Sequence, residues 1–534
     1  MIFISILILI VVLSLPSNTR NIAPLWYSRI SSIIFIYAGA LTLNALYIQS
    51  IGSGIGIYSG LFEISILSQI FEELILILGS IILMGWPKLA ILNYTLIPEK
   101  IGNYPKEYSL IVLISTLGSI LLLSSSDLIS LYLSIELQSF GVYILASLYR
   151  NSDPAVSAGL KYYLIGGLSS CIILFGCSLI YSYSGLTNLE SIQNLLSINS
   201  SNNILWGIYL GIIILIIGLL IKIGAAPLHN WAPDVYDNSP TVVTIWLTIM
   251  PKISILIFLI ELHSKFGIIS NNIINSNITI SFLNSLLITD NIIINNDLTI
   301  ILKNLLLISS LFSLLIGTIG GLYQTKIKRL FAYSSISHLG FILLGLSINS
   351  EQSIESVIFY IIQYSITNLN IFIIIISLGL FIYPYSYYLY NFDNRGHAID
   401  INFISQFKGI FFCNPIISIC LTISLFSMAG IPPLLGFFAK QFVLSSALEN
   451  GYYFMSLLGI IVSIISACYY LKIIKLLHTE NIEYSYEYCY NHYLIPNTHS
   501  FIISTLTLSI LLFVFKPSIL LNISTIISLS LFYW

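Results

Sequence analysis

Long apolar runs, each closed by a short polar break, recur from one end of this chain to the other. A helix needs about 20 apolar residues to cross a hydrocarbon core of roughly 30 Å. Runs of that kind predict spans near 2–15, 29–49, 64–85, 109–126, 128–149, 160–184, 204–226, 241–262, 300–322, 330–347, 354–383, 414–446, 452–477 and 498–515. Continuous apolarity of this length fits helices and not a membrane barrel, whose strands alternate over about ten residues. The first run, Ile2 to Leu15, has neither a basic leader nor a small-residue cleavage site, so it is expected to be the first span. A last apolar piece, Ser518 to Trp534, follows Lys516 and Pro517 and predicts a fifteenth span or an interfacial tail. The longest polar interruptions, the Asn-rich 263–299 and 384–413, are expected to be solvated loops.

Composition narrows this pattern to one class. Of the 534 residues 57% are hydrophobic and only 8% charged, which is too little charge to cover a soluble protein of this size. The expected fold is therefore an all-α polytopic membrane protein. The net charge of −2 gives no argument for nucleic acid. The cysteines, Cys171, Cys177, Cys413, Cys420, Cys468 and Cys489, form no CxxC pair, so no metal site, iron–sulfur cluster or disulfide framework is expected. Ile, Asn, Tyr and Ser dominate while Ala, Val and Arg are sparse, a bias that fits an AT-rich organellar genome.

Basic residues set the expected orientation, because loops on the inner side collect Lys and Arg. Alternate loops hold Arg20 and Arg29; Lys88, Lys100 and Lys106; Arg150 with Lys161; Lys326, Lys328 and Arg329; Arg395 and Lys408; then Lys472 and Lys475. The opposite side receives only Lys265, Lys303 and Lys516, and both termini fall there.

The remaining lysines lie inside apolar spans, as does one carboxylate: Glu136 in LSIELQSFGVYIL, Lys222 in GLLIKIGAAPLHNW, Lys252 after Pro251, and Lys440 in GIPPLLGFFAKQFVL. A charge at the bilayer centre costs roughly 2.5–3.5 kcal/mol on insertion scales. Each could be a static salt bridge or a lysine snorkelling to the interface. One carboxylate cannot pair statically with three lysines, however, and a row of switchable groups linked by water can pass a proton. Two spans are also broken beside a lysine, by Gly224-Ala225-Ala226-Pro227 and by Gly430-Ile431-Pro432-Pro433. Broken helices in matching positions of two halves mark ion paths in transporters. His229, after the first break, and Lys161, at the start of the sixth span, are further candidates for proton input. The bland alternatives are a histidine bonded to backbone and an interfacial anchor. His338 is a weaker candidate, and Glu72 and Glu73 suit an interfacial or partner-facing place. The chain has no P-loop, no GxGxxG and no HExxH. No cofactor or metal is therefore expected in this chain, and the energy must come from elsewhere.

These stretches are recognisable. IKIGAAPLHNWAPDVYDNSPTVVTIWLTIMPK, KIKRLFAYSSISHLGFILLG, GIPPLLGFFAKQFVL and LSIELQSFGVYIL resemble the signatures of the antiporter-like membrane subunits of respiratory complex I, over about 110–475. PDVYDNSPT points to one type within that family. The resemblance implies about fourteen transmembrane helices with two inverted five-helix repeats and broken helices 7 and 12. It divides the chain into a three-helix segment (1–108), a first repeat of helices 4–8 (109–262), the polar loop (263–299), a second, inverted repeat of helices 9–13 (300–477), and a C-terminal helix and tail (478–534). By motif, Glu136 matches the acid of the fifth helix and Lys222 the lysine of the broken seventh. Lys252 matches the central lysine of the eighth, and Lys440 that of the broken twelfth. Lys161 and His229 also fall on positions thought to serve the relay. Implied with it are an inner mitochondrial membrane location, lipids, and partners that include neighbouring antiporter-like and peripheral subunits. NADH, FMN, iron–sulfur clusters and ubiquinone would belong to those partners. The rival expectations are a subunit of a multisubunit cation/proton antiporter and a purely structural membrane spacer.

Overall fold

The computed structural model describes residues 1–14, 24–48, 54–85, 106–149, 152–198, 202–280, 291–382, 400–479 and 496–532. Arg20, Lys88, Lys100, Arg150, Arg395 and Cys489 lie outside them, as does most of 384–413. Among the described residues, eleven helices are long and apolar enough to cross a membrane, and Ile2–Ser14, Tyr108–Leu123, Pro415–Ala429 and Ser518–Phe532 are shorter apolar helices. Every expected span falls on a helix, and 414–446 falls on two.

In chain order the N-terminal segment holds α1 (Ile2–Ser14), α2 (Pro24–Ile48), a hairpin of β1 (Ile55–Ile57) and β2 (Phe62–Ile64), and α3 (Ile66–Met84). Then come α4 (Tyr108–Leu123), α5 (Leu128–Ala146), α6 (Asp153–Ser184), α7 (Leu189–Ile198), α8 (Asn202–Ile223), α9 (Trp231–Asn238) and α10 (Thr241–Ile280). The second half holds α11 (Asn291–Leu322), α12 (Ile327–Ile348), α13 (Glu351–Ile382), α14 (Ile410–Cys413), α15 (Pro415–Ala429), α16 (Leu435–Glu449) and α17 (Tyr453–His478). The chain closes with α18 (Asn497–Leu512) and α19 (Ser518–Phe532).

In lipid every backbone group and hydroxyl needs a partner inside the protein. The many serines of these helices meet this by donating to the carbonyl three or four residues back, as Ser115 does to Val112 (2.8 Å) and Ser334 to Phe331 (2.9 Å). Helix starts are closed in kind. Ser65 and Ser68 form a reciprocal capping box at α3, and Ser350 and Ser353 exchange the same two bonds at α13.

The two halves repeat in detail. A Cβ on Gly118 would lie 2.5 Å from the Gln138 nitrogen, so α4 and α5 meet backbone to backbone; Gly317 stands in the same relation to Ser337, joining α11 and α12. The first residues of α5 and α12 are each tied to a distant strand-like segment. Leu128 N–H donates to Thr187 O and Leu189 N–H to Ser126 O, both at 3.0 Å, while Ile327 N–H donates to Asn402 O (2.9 Å) and Ile404 N–H to Thr325 O (3.0 Å). These matching ties sit at opposite ends of the bundle. The second is beside Thr241, the first residue of α10, where Asp400 accepts from Thr241 Oγ1 at 2.7 Å. The first is beside the β-hairpin, whose Glu63 meets Lys265 of α10 at 3.1 Å. Twenty-four residues of helix separate those anchors, about 36 Å. The repeats are therefore inverted, and α10 runs through the middle with its first 25 residues buried almost throughout.

One sequence expectation changes. The polar stretch 263–299 is not a loop throughout: α10 continues to Ile280 and α11 begins at Asn291. Asn reads as a loop former, but isoleucines interleave with it and no proline follows Pro251 in α10 to stop the helix. The β-hairpin and the short α7 and α9 are unforeseen elements. The tail from Ser518 is a helix packed beside the start of α13, with Ser524 at the Glu355 carboxylate.

Candidate functional site

The site grows out of the two helix breaks. At Gly224 (φ +81°) the chain leaves α8, and Gly224 N–H and Ala225 N–H turn back onto Leu220 O at 3.1 and 3.0 Å. At Gly430 (φ +87°) it leaves α15, with Gly430 and Ile431 N–H both on Phe426 O. Only a residue without a Cβ takes that backbone conformation freely. Each break leaves carbonyls at a helix C-terminus, where the helix dipole favours a cation. Lys440, from the far side of its break, donates to Ala429 O at 2.8 Å and sits 5.7 Å from the centre of the Phe341 ring. Lys222 lies in the last turn of α8.

Lys222 and Glu136 form an ion pair at 3.3 Å with little solvent, their side chains being 5% and 14% exposed. Two helices distant in sequence, α5 and α8, thus bring a buried acid to the lysine beside the break. A cavity of about 20 Å³, room for roughly one water, adjoins the pair and is lined by Lys222, Gln138, Ser139, Tyr143, Tyr162 and Trp231. Gln138 Nε2 reaches across to Ser254 Oγ on α10 at 2.8 Å, two residues beyond Lys252.

Lys252 is buried at the centre and makes no ion pair among the described residues. Its Nζ donates to Ser335 Oγ at 3.0 Å and lies 5.3 Å from the Tyr236 ring centre. His338, one turn beyond Ser335 on α12, sits within electrostatic reach of both Lys252 and Lys440. Its ring nitrogens meet Tyr360 Oη at 2.7 Å and Tyr470 Oη at 3.3 Å. The weakest of the sequence candidates thus feels two of the strongest. Lys252, His338 and Lys440 are buried in the second half and at the centre, and the Glu136–Lys222 pair in the first half.

Lys161 and His229 lie nearer the end that holds Thr241. Lys161 is half exposed and pairs with Asp234 of α9 at 3.0 Å; Arg329 pairs with the other Asp234 oxygen. Burial pushes the Asp234 carboxyl up, but the hydrogen bonds and charges of Lys161 and Arg329 outweigh it and hold the group below its usual range. Lys326 meets Asp237 at 2.7 Å, and the buried Lys328 meets Asp400 and donates to Ser239 O at 2.9 Å. His229 is buried with Nδ1 3.2 Å from Pro227 O. Glu72 and Glu73 lie on α3, and neither is ion-paired to a lysine among the described residues. The sequence does not single out Gln138, Ser335, Tyr360, Tyr470, Trp231 or Asp234, since their partners lie far along the chain. At the opposite end Lys265 is shared by Glu63 and Glu261, at 3.1 and 3.0 Å. No group of three or more His, Cys, Asp or Glu residues is placed to hold a metal among the described residues.

A family model described as "NADH:quinone oxidoreductase/Mrp antiporter, TM" matches residues 125–298 and 286–466. NADH-ubiquinone oxidoreductase chain 2 of Rhizopus oryzae is 43% identical over 99% of both chains. NADH-quinone oxidoreductase subunit N of Pelagibacter ubique is 36% identical over 78% of this chain and 77% of that one. Among solved structures, chains of the Mrp complex from Dietzia (TM-score 0.74, 17% identity, 100% of this chain and 96% of that one) and of respiratory complex I from Thermus thermophilus with bound Aureothin (TM-score 0.68, 21% identity, 98% and 97%) share the fold. So does a chain of the archaeal membrane-bound sulfane sulfur reductase, with a TM-score of 0.73 at 20% identity over 95% of each chain.

Proposed function

The chain belongs to the NADH:quinone oxidoreductase/Mrp antiporter transmembrane family, and on that premise we propose that it is the chain-2-type proton-carrying subunit of an NADH:ubiquinone oxidoreductase. The observation that carries the reading is the buried Glu136–Lys222 pair at the first helix break, followed by two buried lysines without acid partners among the described residues. NADH oxidation and quinone reduction belong to partner subunits with their FMN and iron–sulfur clusters. This chain holds and moves protons.

In the resting arrangement the Glu136 carboxylate keeps the Lys222 ammonium charged. When that pair opens, the ammonium loses its counter-charge in a medium where charge is costly, and its proton passes toward Lys252. The cavity beside Lys222 has room for a water to bridge the step, and His338 links Lys252 to Lys440. Lys440 releases the last proton, and its charge is steadied by the carbonyls at the end of α15. His229 serves entry at the end where basic residues collect. The division into repeats 109–262 and 300–477 gives each half one broken helix and one lysine beside it. With basic loops on the matrix side, both termini face the intermembrane space of the mitochondrial inner membrane.

The antiporter rival shares the fold but not the near full-length 43% identity to the Rhizopus chain-2 relative. Mildly solubilised native membranes, separated on a native gel and stained for NADH oxidation, decide between them. This chain is expected in the large NADH-oxidising band, identified by mass spectrometry. Its presence only in a smaller, NADH-silent band with sodium-dependent transport would overturn the assignment.

A further inference from the structure

The Glu136–Lys222 separation is held by more than the two charges. Trp231, the first residue of α9, donates its indole N–H to Ile221 O at 2.9 Å. That carbonyl belongs to the peptide unit joining Ile221 to Lys222, and the helix break leaves it with only a shared backbone donor, Gly224 N–H at 3.1 Å. The same indole stacks on Tyr162 of α6, with ring centres 4.8 Å apart and planes 18° apart. Tyr162 in turn meets Tyr143 of α5 edge-on, at 4.8 Å and 90°. Tyr143 shares a hydrogen bond with Ser139, whose hydroxyl donates to the Glu136 carbonyl at 3.1 Å. Gly166 makes the stack possible, since a Cβ there would strike the Tyr143 hydroxyl. One end of the aromatic row thus grips the peptide of Lys222, and the other grips the backbone of Glu136.

The row is anchored outside the membrane core. Lys161 precedes Tyr162 and pairs with Asp234, three residues after Trp231 on α9. Arg329, at the start of α12, pairs with the same carboxylate. Displacing α9 therefore moves Trp231 and, through it, both sides of the buried pair.

We infer that Trp231, Tyr162 and Tyr143 are positioning residues that set the Glu136–Lys222 separation, and that the Lys161–Asp234–Arg329 ion pairs lock them in place. This rests on the proton-carrying role of the pair proposed above. Lys161 then acts by its fixed charge and not by giving up a proton. The stack is encoded in three short stretches, Ser139 to Tyr143, Lys161-Tyr162 and Trp231 to Asp234, that no periodicity links.

The test uses the assembled complex in proteoliposomes. Trp231→Phe keeps an aromatic ring for the stack and removes the N–H. The Glu136–Lys222 distance, read by cryo-electron microscopy, should open beyond ion-pair range, and NADH-driven pumping should fall roughly 5- to 10-fold, the weight of one buried hydrogen bond. On a Glu136→Gln background Trp231→Phe should cost nothing further, because it acts through the pair. Lys161→Arg should recover most of what Lys161→Met loses, since Arg stays protonated. An unchanged distance in Trp231→Phe, or an equal loss in both backgrounds, overturns the positioning role. If Trp231→Phe does not assemble, Tyr162→Leu, which removes the stack and no described hydrogen bond, is judged by the same distance. Normal pumping by Glu136→Gln would instead overturn the function proposed for the pair, and the distance measurement would still decide the positioning role.

Discussion

Lys222 and Lys252 present the same ammonium to the same low-dielectric interior, and the chain answers each differently. Lys222 receives a carboxylate, whereas Lys252 receives a serine hydroxyl and an aromatic face. Ser335→Ala takes from Lys252 its one described hydrogen-bond acceptor. Pumping per assembled complex should then fall about tenfold, checked by NADH-driven acidification of proteoliposomes. At the surface, Asp234 is held ionised by Lys161 and Arg329. A carboxyl with a lowered folded pKa stabilises above its unfolded pKa, about 3.9, and loses that contribution as pH falls through the folded value. Asp234→Asn should therefore lower the Tm of the complex at pH 7, and the gap to the unsubstituted protein should close below about pH 4. Glu136, Lys222, Lys252 and Lys440 are legible in sequence because a charge inside an apolar run is improbable without a use. His338 carries little weight there because Tyr360 and Tyr470 lie 22 and 132 residues away. Only packing puts them on one imidazole.

At the scale of elements, glycine and proline make the two breaks readable, because they remove the Cβ and the N–H that a continuous helix needs. The path of the chain beyond each break is not readable. The eight residues of α9 are too few to show a period, and Trp231 has no signal that it turns back on Ile221. The hairpin 55–64 is missed for the same reason, since three-residue strands leave almost no alternation. Close approach of helices is a matter of single atoms. A Cβ on Gly436, in the first turn of α16, would run into Ser427 O on α15. Gly436→Ala should therefore push the two halves of the second broken helix apart. The subunit's abundance in the assembled complex, measured by quantitative mass spectrometry, should drop several-fold. A change at Glu136 or Lys222 should leave that abundance near normal.

For the whole molecule, the inverted repeat explains why the sequence shows it only in layout. Gly118 against Gln138 and Gly317 against Ser337 are the same contact, and the ties of Leu128 and Ile327 are the same tie at opposite ends. The glycines match, but their partners and the residues of the ties differ, so no long stretch of letters repeats. Buried ionisable groups lie in both repeats, with Lys252 on α10 and His338 on α12. A proton path requires such groups and a static spacer does not. The most direct test measures NADH oxidation and proton uptake together in proteoliposomes carrying the complex with Lys222→Met. A relay through Lys222 predicts an assembled, full-length complex whose proton translocation falls on the order of 100-fold, the usual weight of a positioned proton-transfer group. Translocation at the unsubstituted rate would contradict it.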